Sequence, residues 1–177
     1  MIILVGFMAC GKTMLGSLLA LCLGRPFKDL DREVERVAGC PVGEIFRREG
    51  EAGFRRREEE AFRRLAGAVR GVLAVGGGLP CRPGLARRLR EAGLCLYLDT
   101  DLDLIIQRLA GPAAASRPLL ADLPADERAG RVRALHAERD PHYRRAGRAV
   151  PLPADESAEQ HLDRLLAAVA GGGKEPA

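Results

Sequence analysis

Short apolar runs alternate with longer amphipathic segments along most of the chain. Runs rich in β-branched residues predict strands, and apolar residues at helical spacing predict helices. The predicted strands are 2–5, 27–29, 72–75, 94–98 and 148–150. The predicted helices are 14–23, 31–38, 42–48, 51–69, 83–92, 102–109, 125–143 and 156–169. Asp31 is expected to cap the second helix, and Pro141 is expected to disturb the seventh.

The alternation of strands and helices predicts an α/β domain with a mostly parallel sheet. No internal repeat or interdomain linker divides residues 1–170, so we expect a single domain. Residues 111–124 have no regular period and contain three prolines, which predicts a mobile loop, and residues 171–177 are expected to form a disordered tail. Ligands in such folds bind beyond the carboxyl ends of the strands.

The segment after the first strand has the strongest chemical signal. Residues 6–13, with the sequence GFMACGKT, fit the pattern G-x-x-x-x-G-K-[ST] and open a predicted helix. The glycines let the backbone curl so that its N–H groups face an anion. Lys12 would reach the β- and γ-phosphates, and the Thr13 hydroxyl would ligate Mg²⁺. An ordinary glycine-rich turn is the alternative, but pattern and context together predict a nucleoside triphosphate site.

Two further segments follow predicted strands. Asp29 and Asp31 suit an acceptor hydroxyl or a magnesium ion, whereas a solvated turn with a helix cap would give the same residues. Gly76, Gly77 and Gly78 follow the third strand, where glycine permits a close approach of the backbone to a ligand. A simple loop is the alternative there. Both segments would lie at the same edge of the sheet as the glycine-rich loop.

Charge and composition narrow the class of protein. The 177 residues carry a formal charge of +4, which suits a protein that handles anionic small molecules. Aromatic residues make up 4% of the chain and Trp is absent, so little is available to stack on nucleic-acid bases. Only three of the 28 basic residues are lysines, and one of them is Lys12. Most of the Arg/Glu run around 47–60 is expected to be a solvated helix face.

Cysteine usage points to a reducing compartment. The five cysteines are scattered and form no C-x-x-C pair, which argues against a disulfide framework or a zinc site. We expect them to be small buried hydrophobes. The apolar segment 1–24 could suggest a membrane anchor, but Lys12 at its centre favours a strand, a loop and a helix. We therefore expect a cytoplasmic monomer with no membrane or nucleic-acid partner.

Taken in order, the motifs resemble those of the shikimate kinase family. The matching segments are 6–13, Asp29-Leu30-Asp31, Gly50-Glu51-x-x-Phe54-Arg55-x-x-Glu58, Gly76-Gly77-Gly78, Arg117-Pro118-Leu119-Leu120 and Arg139-x-Pro141-x-Tyr143, within about residues 1–165. The resemblance implies a three-layer α/β/α fold like that of the nucleoside monophosphate kinases, with a five-stranded parallel sheet. It also implies a substrate-binding helical region at about 31–60 and a lid at about 110–125.

The resemblance further implies an activity and its substrates. The family transfers the γ-phosphoryl group of ATP to the 3-hydroxyl of shikimate, in the pathway to chorismate and the aromatic amino acids. The implied nucleotide-binding residues are Gly6, Ala9, Cys10, Gly11, Lys12, Thr13, Met14, Arg108 and Arg117. Among these, Arg108 would stack on adenine, and Arg117 on the lid would stabilise the transferring phosphoryl group.

On the acceptor side the resemblance implies a second set of residues. Asp31 would bind the acceptor hydroxyl and draw off its proton, and Asp29 would hold Mg²⁺ through water together with Thr13. The implied shikimate-binding residues are Asp31, Arg55, Gly76, Gly77, Gly78 and Arg139, with the two arginines on the carboxylate. Lys12, Asp31 and Arg117 form the implied catalytic set.

The sequence departs from the family pattern within the loop. Ala9 stands where the family usually has glycine, and Met14 where a small polar residue is common. Ala9 fits without strain only if its φ is negative.

Other functions remain as alternatives. A kinase of the same fold with another acceptor, such as gluconate or a nucleotide, is less consistent with Arg55, Arg139 and the three glycines. A non-catalytic nucleotide-binding module would be expected to lose some of the implied catalytic residues. Nucleic-acid binding has only the basic composition in its favour.

Overall fold

Five parallel strands form one sheet in the computed structural model, which describes residues 1–68, 70–110, 120 and 123–172. The strands are β1 (Ile2–Val5), β2 (Phe27–Asp29), β3 (Val72–Ala74), β4 (Leu94–Thr100) and β5 (Arg148–Leu152). Their order across the sheet is β2-β3-β1-β4-β5. The helices are α1 (Lys12–Cys22), α2 (Leu30–Ala38), α3 (Val42–Ala66), α4 (Leu85–Ala92), α5 (Leu102–Ala110), α6 (Ala125–Ala146) and α7 (Ala158–Gly171). The predicted fold class is confirmed.

The strand order creates a crevice between β1 and β3. The chain leaves β1 towards β2 on one side and leaves β3 towards β4 on the other. Because parallel crossovers are right-handed, these two connections place α1 and α4 on opposite faces of the sheet. In agreement, α1 packs with α7, and α4 packs with α6. A ligand site is expected where the two connections diverge, beyond the carboxyl ends of β1 and β3.

The strand register aligns the predicted site segments at this edge. Leu4 in β1 lies opposite Ala74 in β3, and Ala74 lies opposite Asp29 in β2. On the other side of β1, Val5 lies opposite Tyr97, so β4 extends three residues beyond the end of β1, to Thr100. β4 therefore runs alongside the loop that follows β1.

Close packing of α1 on the sheet depends on one glycine. A Cβ at Gly16 would lie 2.6 Å from the ring of Phe27 and 2.9 Å from a methyl group of Leu4. The absence of a side chain lets the helix lie directly over β1 and β2, which fixes the position of the helix N-terminus relative to both strands.

Several predicted boundaries are wrong by a few residues. β3 ends at Ala74, whereas β4 and β5 are longer than predicted. The segments 42–48 and 51–69 form one helix, kinked where Gly50 has a φ of 68°, and it ends at Ala66. α4 begins at Leu85, two residues later than predicted.

The last two helices also differ from the prediction. α6 continues through Pro141 to Ala146, so this proline does not end it. α7 begins at Ala158, because Ser157 rather than an earlier residue forms the capping box with Gln160, and it includes Gly171 of the predicted tail. Most of the predicted loop 111–124 and the tail residues 173–177 lie outside the described residues.

Cysteine placement agrees only in part with the prediction. All five cysteines are free, and Cys10 and Cys95 are buried, but Cys22 is exposed and Cys40 and Cys81 are half-buried. None of the helices that the structure describes is both long and apolar enough to cross a membrane.

Candidate active site

A cleft of about 410 Å³ opens at the carboxyl ends of β1, β2 and β3. It lies at the crevice that the strand order predicts. The cleft brings together residues that sequence analysis selected from three separate segments and from α5: Ala9, Gly11, Lys12, Thr13, Met14, Asp29, Asp31, Gly76, Gly77 and Arg108. Arg55, Gly78 and Arg139 lie outside the lining of this cleft and form a neighbouring group, described below.

The phosphate loop, residues 6–13, wraps around the end of Lys12. The Lys12 ammonium donates hydrogen bonds to the carbonyl oxygens of Gly6 at 2.8 Å and Phe7 at 2.7 Å. These carbonyls hold the positive charge at the mouth of the loop, beside the N-terminus of α1. An ammonium group and a helix N-terminus together favour an anion at this position.

Ala9 adopts the left-handed backbone conformation, with a φ of 59°. The condition for a strain-free alanine is therefore not met, since a Cβ in this region costs about 1–2 kcal/mol. The Ala9 carbonyl accepts a hydrogen bond of 2.9 Å from Nη1 of Arg108. In this structure Arg108 thus contacts the phosphate loop directly, while its predicted stacking on adenine remains a prediction.

Asp29 connects the phosphate loop to α2. Its Oδ2 accepts a hydrogen bond of 2.7 Å from the Thr13 hydroxyl. Its Oδ1 accepts from the N–H groups of Asp31 and Arg32, so Asp29 is the N-cap of α2 and the predicted cap at Asp31 is wrong. Asp29 precedes the first helical residue and has extended backbone geometry, as an N-cap residue does.

The Thr13 and Asp29 oxygens also fit a magnesium ion. Mg²⁺ prefers oxygen ligands and commonly uses one or two carboxylates together with substrate phosphates and water. Among the described residues there is no cluster of three or more acidic, histidine or cysteine side chains that could hold a metal by itself. A shared site of one hydroxyl, one carboxylate and a phosphate ligand matches this donor set.

Gly76 allows two carboxyl groups to approach the backbone. A Cβ at Gly76 would overlap Oε1 of Glu58 and would lie 3.0 Å from Oδ1 of Asp31. Asp31 and Glu58 therefore lie on the same side of the segment after β3. This arrangement joins the cleft, which Asp31 lines, to the group around Arg55.

Glu58 is fully buried on the inner face of α3. Its Oε2 accepts a hydrogen bond of 2.8 Å from Nη1 of Arg55, while its Oε1 has no hydrogen-bond partner among the described residues. Burial raises the pKa of Glu58 from 4.5 to about 7, although the positive charge of Arg55 opposes the rise; the negative charge of Asp31 adds to it. Glu58 is therefore a carboxyl group that changes charge near neutral pH.

Arg55 is held on two sides by carboxylates. Besides Glu58, Glu51 accepts hydrogen bonds from its Nε and Nη2 at 3.3 and 3.1 Å. A Cβ at Gly78 would lie 2.5 Å from Cζ of Arg55, so the glycine leaves room for the guanidinium plane. The contacts with Glu51 and Glu58 therefore fix the orientation of the Arg55 guanidinium group.

Arg139 lies on α6 within hydrogen-bond reach of Tyr143 on the same helix. It is 8% exposed, and none of the carboxylates in the described part of the chain forms a salt bridge with it. One turn later, the Tyr143 hydroxyl donates a hydrogen bond of 2.7 Å to the Gly77 carbonyl. Burial raises the pKa of the Cys81 thiol to about 11, and the positive charges of Arg139 and Arg55 both oppose that rise. The two arginines thus lie near one thiol.

Sequence reasoning assigned no role to Glu58 or Tyr143, and it treated most of the charged run as solvated. A helical signal could have identified Glu58 as buried, because it lies four residues after Phe54 and three before Ala61, both on the buried face. Tyr143 belongs to the quoted motif Arg139-x-Pro141-x-Tyr143, but nothing in the sequence indicates its contact with Gly77. Arg117, the predicted lid arginine, lies outside the described residues.

Comparison with known proteins identifies close relatives of the whole chain. The family model described as shikimate kinase matches residues 8–170. A shikimate kinase from Symbiobacterium thermophilum is 46% identical over 145 residues, which cover 82% of this chain and 82% of that protein. One from Synechococcus sp. is 40% identical over 166 residues, covering 94% of this chain and 85% of the relative.

A solved structure extends the comparison to three dimensions. The shikimate kinase from Acinetobacter baumannii, solved in complex with shikimate, matches with a TM-score of 0.87 at 34% identity. The match covers 98% of this chain and 94% of that one. The similarity therefore extends over almost the whole of both chains.

The backbone strain at Ala9 can be measured. We expect Ala9→Gly to raise the free energy of unfolding by about 0.5–1 kcal/mol, because glycine adopts a positive φ without a steric penalty. The matched control Ala134→Gly, on the exposed face of α6, should lower it by about 1 kcal/mol through lost helix propensity. Urea unfolding followed by circular dichroism measures both. An equal decrease in the free energy of unfolding of Ala9→Gly and Ala134→Gly would show that Ala9 is not strained.

The titration of Glu58 should appear in the pH dependence of stability. A carboxyl whose pKa is raised on folding contributes stability below about pH 4.5 that is lost as the pH rises through about 7. Glu58→Gln does not titrate, so wild type should lose on the order of 2 kcal/mol relative to this variant between about pH 5 and pH 8. Glu60→Gln, on the exposed face of α3, is the control and should show no such change. A difference between wild type and Glu58→Gln that stays constant with pH would rule out this titration.

Proposed function

The chain belongs to the shikimate kinase family, and from this we propose how its residues transfer the γ-phosphoryl group of ATP to the 3-hydroxyl of shikimate. The family supplies the reaction, and the geometry supports a role for each group. The single observation that carries the proposal is the presence of two largely buried arginines, Arg55 and Arg139, beside a phosphate-binding loop. One end of the site suits a triphosphate and the other a carboxylate.

At the triphosphate end, the phosphate loop provides backbone N–H donors and the Lys12 ammonium. In exchange for its present contacts with the Gly6 and Phe7 carbonyls, Lys12 turns its charge to the β- and γ-phosphates. Thr13 and Asp29 would hold Mg²⁺, since their oxygens lie within hydrogen-bond distance of each other at the mouth of the cleft. A bound ion would neutralise negative charge on the phosphates.

At the acceptor end, Arg55 and Arg139 bind the shikimate carboxylate. A planar guanidinium donates two parallel hydrogen bonds to a carboxylate, and burial strengthens the pairing because little water competes. Arg139 supports this role in particular, since a buried arginine without a described carboxylate partner calls for an anion. The Gly77 N–H contributes a donor to a substrate oxygen, and Tyr143 keeps this segment in place through the Gly77 carbonyl.

Asp31 lies between the two ends and receives the proton of the acceptor hydroxyl. The hydroxyl oxygen forms a bond to the γ-phosphorus as the bond from that phosphorus to the bridging oxygen of ADP breaks. Positioning and charge stabilisation account for most of the catalysis of such a transfer. Arg117 supplies further positive charge at the transferring group, a role that rests on the resemblance alone.

The finer expectations from the sequence stay part of the proposal. Five free cysteines support a cytoplasmic, reducing environment. The scarcity of exposed apolar side chains supports a monomer. In the described segments the exposed large apolar side chains are limited to Met14, Leu21 and Val37.

Coupled measurement of ADP release tests the reaction, with shikimate, gluconate and nucleoside monophosphates offered in parallel. We expect turnover that depends on shikimate and on Mg²⁺. Lys12→Ala should abolish it, because the β- and γ-phosphates lose their principal side-chain charge. Folded wild-type protein that fails to turn over shikimate would refute the proposed substrate, and turnover of Lys12→Ala at the wild-type rate would refute the role of that lysine.

The role of Arg55 predicts a selective effect on shikimate. Arg55→Lys should raise the KM for shikimate about tenfold or more with little change in the KM for ATP, since one ammonium cannot replace a planar fork. Arg56→Lys, on the exposed face of the same helix, should leave both constants unchanged. Steady-state kinetics with each substrate varied in turn measures this. An unchanged KM for shikimate would exclude Arg55 from carboxylate binding.

A further inference from the structure

Two carbonyl groups of the phosphate loop are bound by side chains that lie outside the loop. The Thr100 hydroxyl donates a hydrogen bond of 3.0 Å to the Cys10 carbonyl. Arg108 donates to the neighbouring Ala9 carbonyl at 2.9 Å. The two donors come from β4 and α5, which neither contain the loop nor adjoin it in sequence. Consecutive peptide groups of the loop are therefore held by a different part of the fold.

The position of Thr100 follows from the extra length of β4. The strand continues three residues beyond the end of β1, which brings its last residue beside the loop. Thr100 is 3% exposed and is the last residue of a mostly apolar strand. A buried hydroxyl must find a hydrogen-bond partner, and here that partner is a loop carbonyl.

Asp101 then fixes where α5 begins relative to the loop. Its Oδ1 accepts hydrogen bonds from the N–H groups of Asp103 and Leu104 at the start of α5. The helix therefore begins at Leu102, with only Asp101 between it and the end of β4, and it places Arg108, in its last turn, against Ala9. One strand end and the helix that follows it supply both contacts.

Each contact also fixes the direction of an N–H group. In a planar trans peptide the carbonyl and the N–H of the next residue point in opposite directions. Holding the Cys10 carbonyl therefore fixes the direction of the Gly11 N–H, and holding the Ala9 carbonyl fixes that of the Cys10 N–H, which donates a hydrogen bond of 3.4 Å to the Phe7 carbonyl within the loop. No described residue accepts a hydrogen bond from the Gly11 N–H, so this donor is available to an anion.

We propose that Thr100 and Arg108 are positioning residues: Thr100 orients the phosphate-binding amide of Gly11 through the Cys10 carbonyl, and Arg108 holds the preceding turn of the loop through the Ala9 carbonyl. Thr100 acts on the nucleotide indirectly, through its hydrogen bond to the loop. Arg108 has this role in addition to any contact with adenine. The inference deepens the proposed function, because it assumes that the loop binds the nucleotide phosphates.

Ala9 makes this external support necessary at one position in particular. An alanine held at a φ of 59° tends to leave the left-handed region, and a change there would rotate the adjoining peptide groups. The contact from Arg108 opposes that rotation at the Ala9 carbonyl. The amide directions needed for phosphate binding are thus retained despite the strain.

Thr100→Val removes the hydroxyl and keeps the shape of the side chain, and Thr100→Ser keeps the hydroxyl. Calorimetric titration with ADP, inorganic tripolyphosphate and adenosine separates the phosphate contribution from that of adenine. We expect Thr100→Val to bind ADP and tripolyphosphate about five- to tenfold more weakly, the effect of one lost hydrogen bond, with adenosine binding within twofold of wild type. Thr100→Ser should restore most of the affinity.

Arg108 provides a second test, which holds even if Thr100→Val does not fold. Arg108→Met should weaken the binding of tripolyphosphate, a ligand without adenine, by several-fold, and Arg108→Lys should recover part of it. An arginine that acted only by stacking on adenine would leave tripolyphosphate binding unchanged. Gln107→Met, at the exposed neighbouring position, is the matched control.

The outcomes distinguish this inference from the proposed function. Wild-type protein that binds neither ADP nor tripolyphosphate would refute the phosphate site itself. Wild-type binding with unchanged tripolyphosphate affinity in both Thr100→Val and Arg108→Met would overturn the positioning role alone. Equal weakening of tripolyphosphate, adenosine and shikimate would show a general structural defect and would also overturn it.

Discussion

The absence of side chains at three consecutive positions after β3 is the constraint on which the active site depends. A Cβ at Gly76 would overlap Glu58, and one at Gly78 would overlap Arg55. At Gly77 a Cβ would lie 3.2 Å from the Gly6 carbonyl, so the phosphate loop also packs directly on this segment. The glycines thus let α3, α6 and the phosphate loop converge on one stretch of backbone, which suits a reaction that needs its two substrates in contact.

The same convergence buries the positive charge of Arg55, and the carboxyl group of Glu58 compensates that charge. Arg55 is largely removed from water, and a guanidinium group in that position needs a negative partner. Glu58 provides it from the buried face of the same helix, at the cost of a pKa raised to about 7. Because Glu58 occupies one edge of the guanidinium group, the protein itself fixes the orientation of Arg55. Arg139 is also buried, and no carboxylate among the described residues pairs with it.

Hydrogen bonds from outside the phosphate loop oppose the backbone strain at Ala9. Ala9 holds a backbone conformation that glycine would adopt more easily, yet the loop keeps its form because β4 and α5 hold its carbonyls from outside. A loop supported in this way depends less on its own residue types than the sequence pattern suggests. The departure at Ala9 is therefore compatible with a phosphate-binding loop, and its effect falls on stability as well as on the shape of the site.

The sequence by itself determined the parallel α/β fold, the phosphate loop and most of the residues that line the cleft, because these depend on local patterns and on short motifs. It placed Asp29 and Asp31 at a strand end, but it assigned the N-cap of α2 to Asp31 instead of Asp29. Both side chains can cap a helix, and only the backbone geometry decides which of them does. Tertiary structure decided the burial of Glu58, the left-handed conformation of Ala9 and the contact of Thr100 with Cys10. The last of these joins residues that are 90 positions apart. Such features arise where separate segments pack against each other, and no local pattern records which polar group will meet which partner.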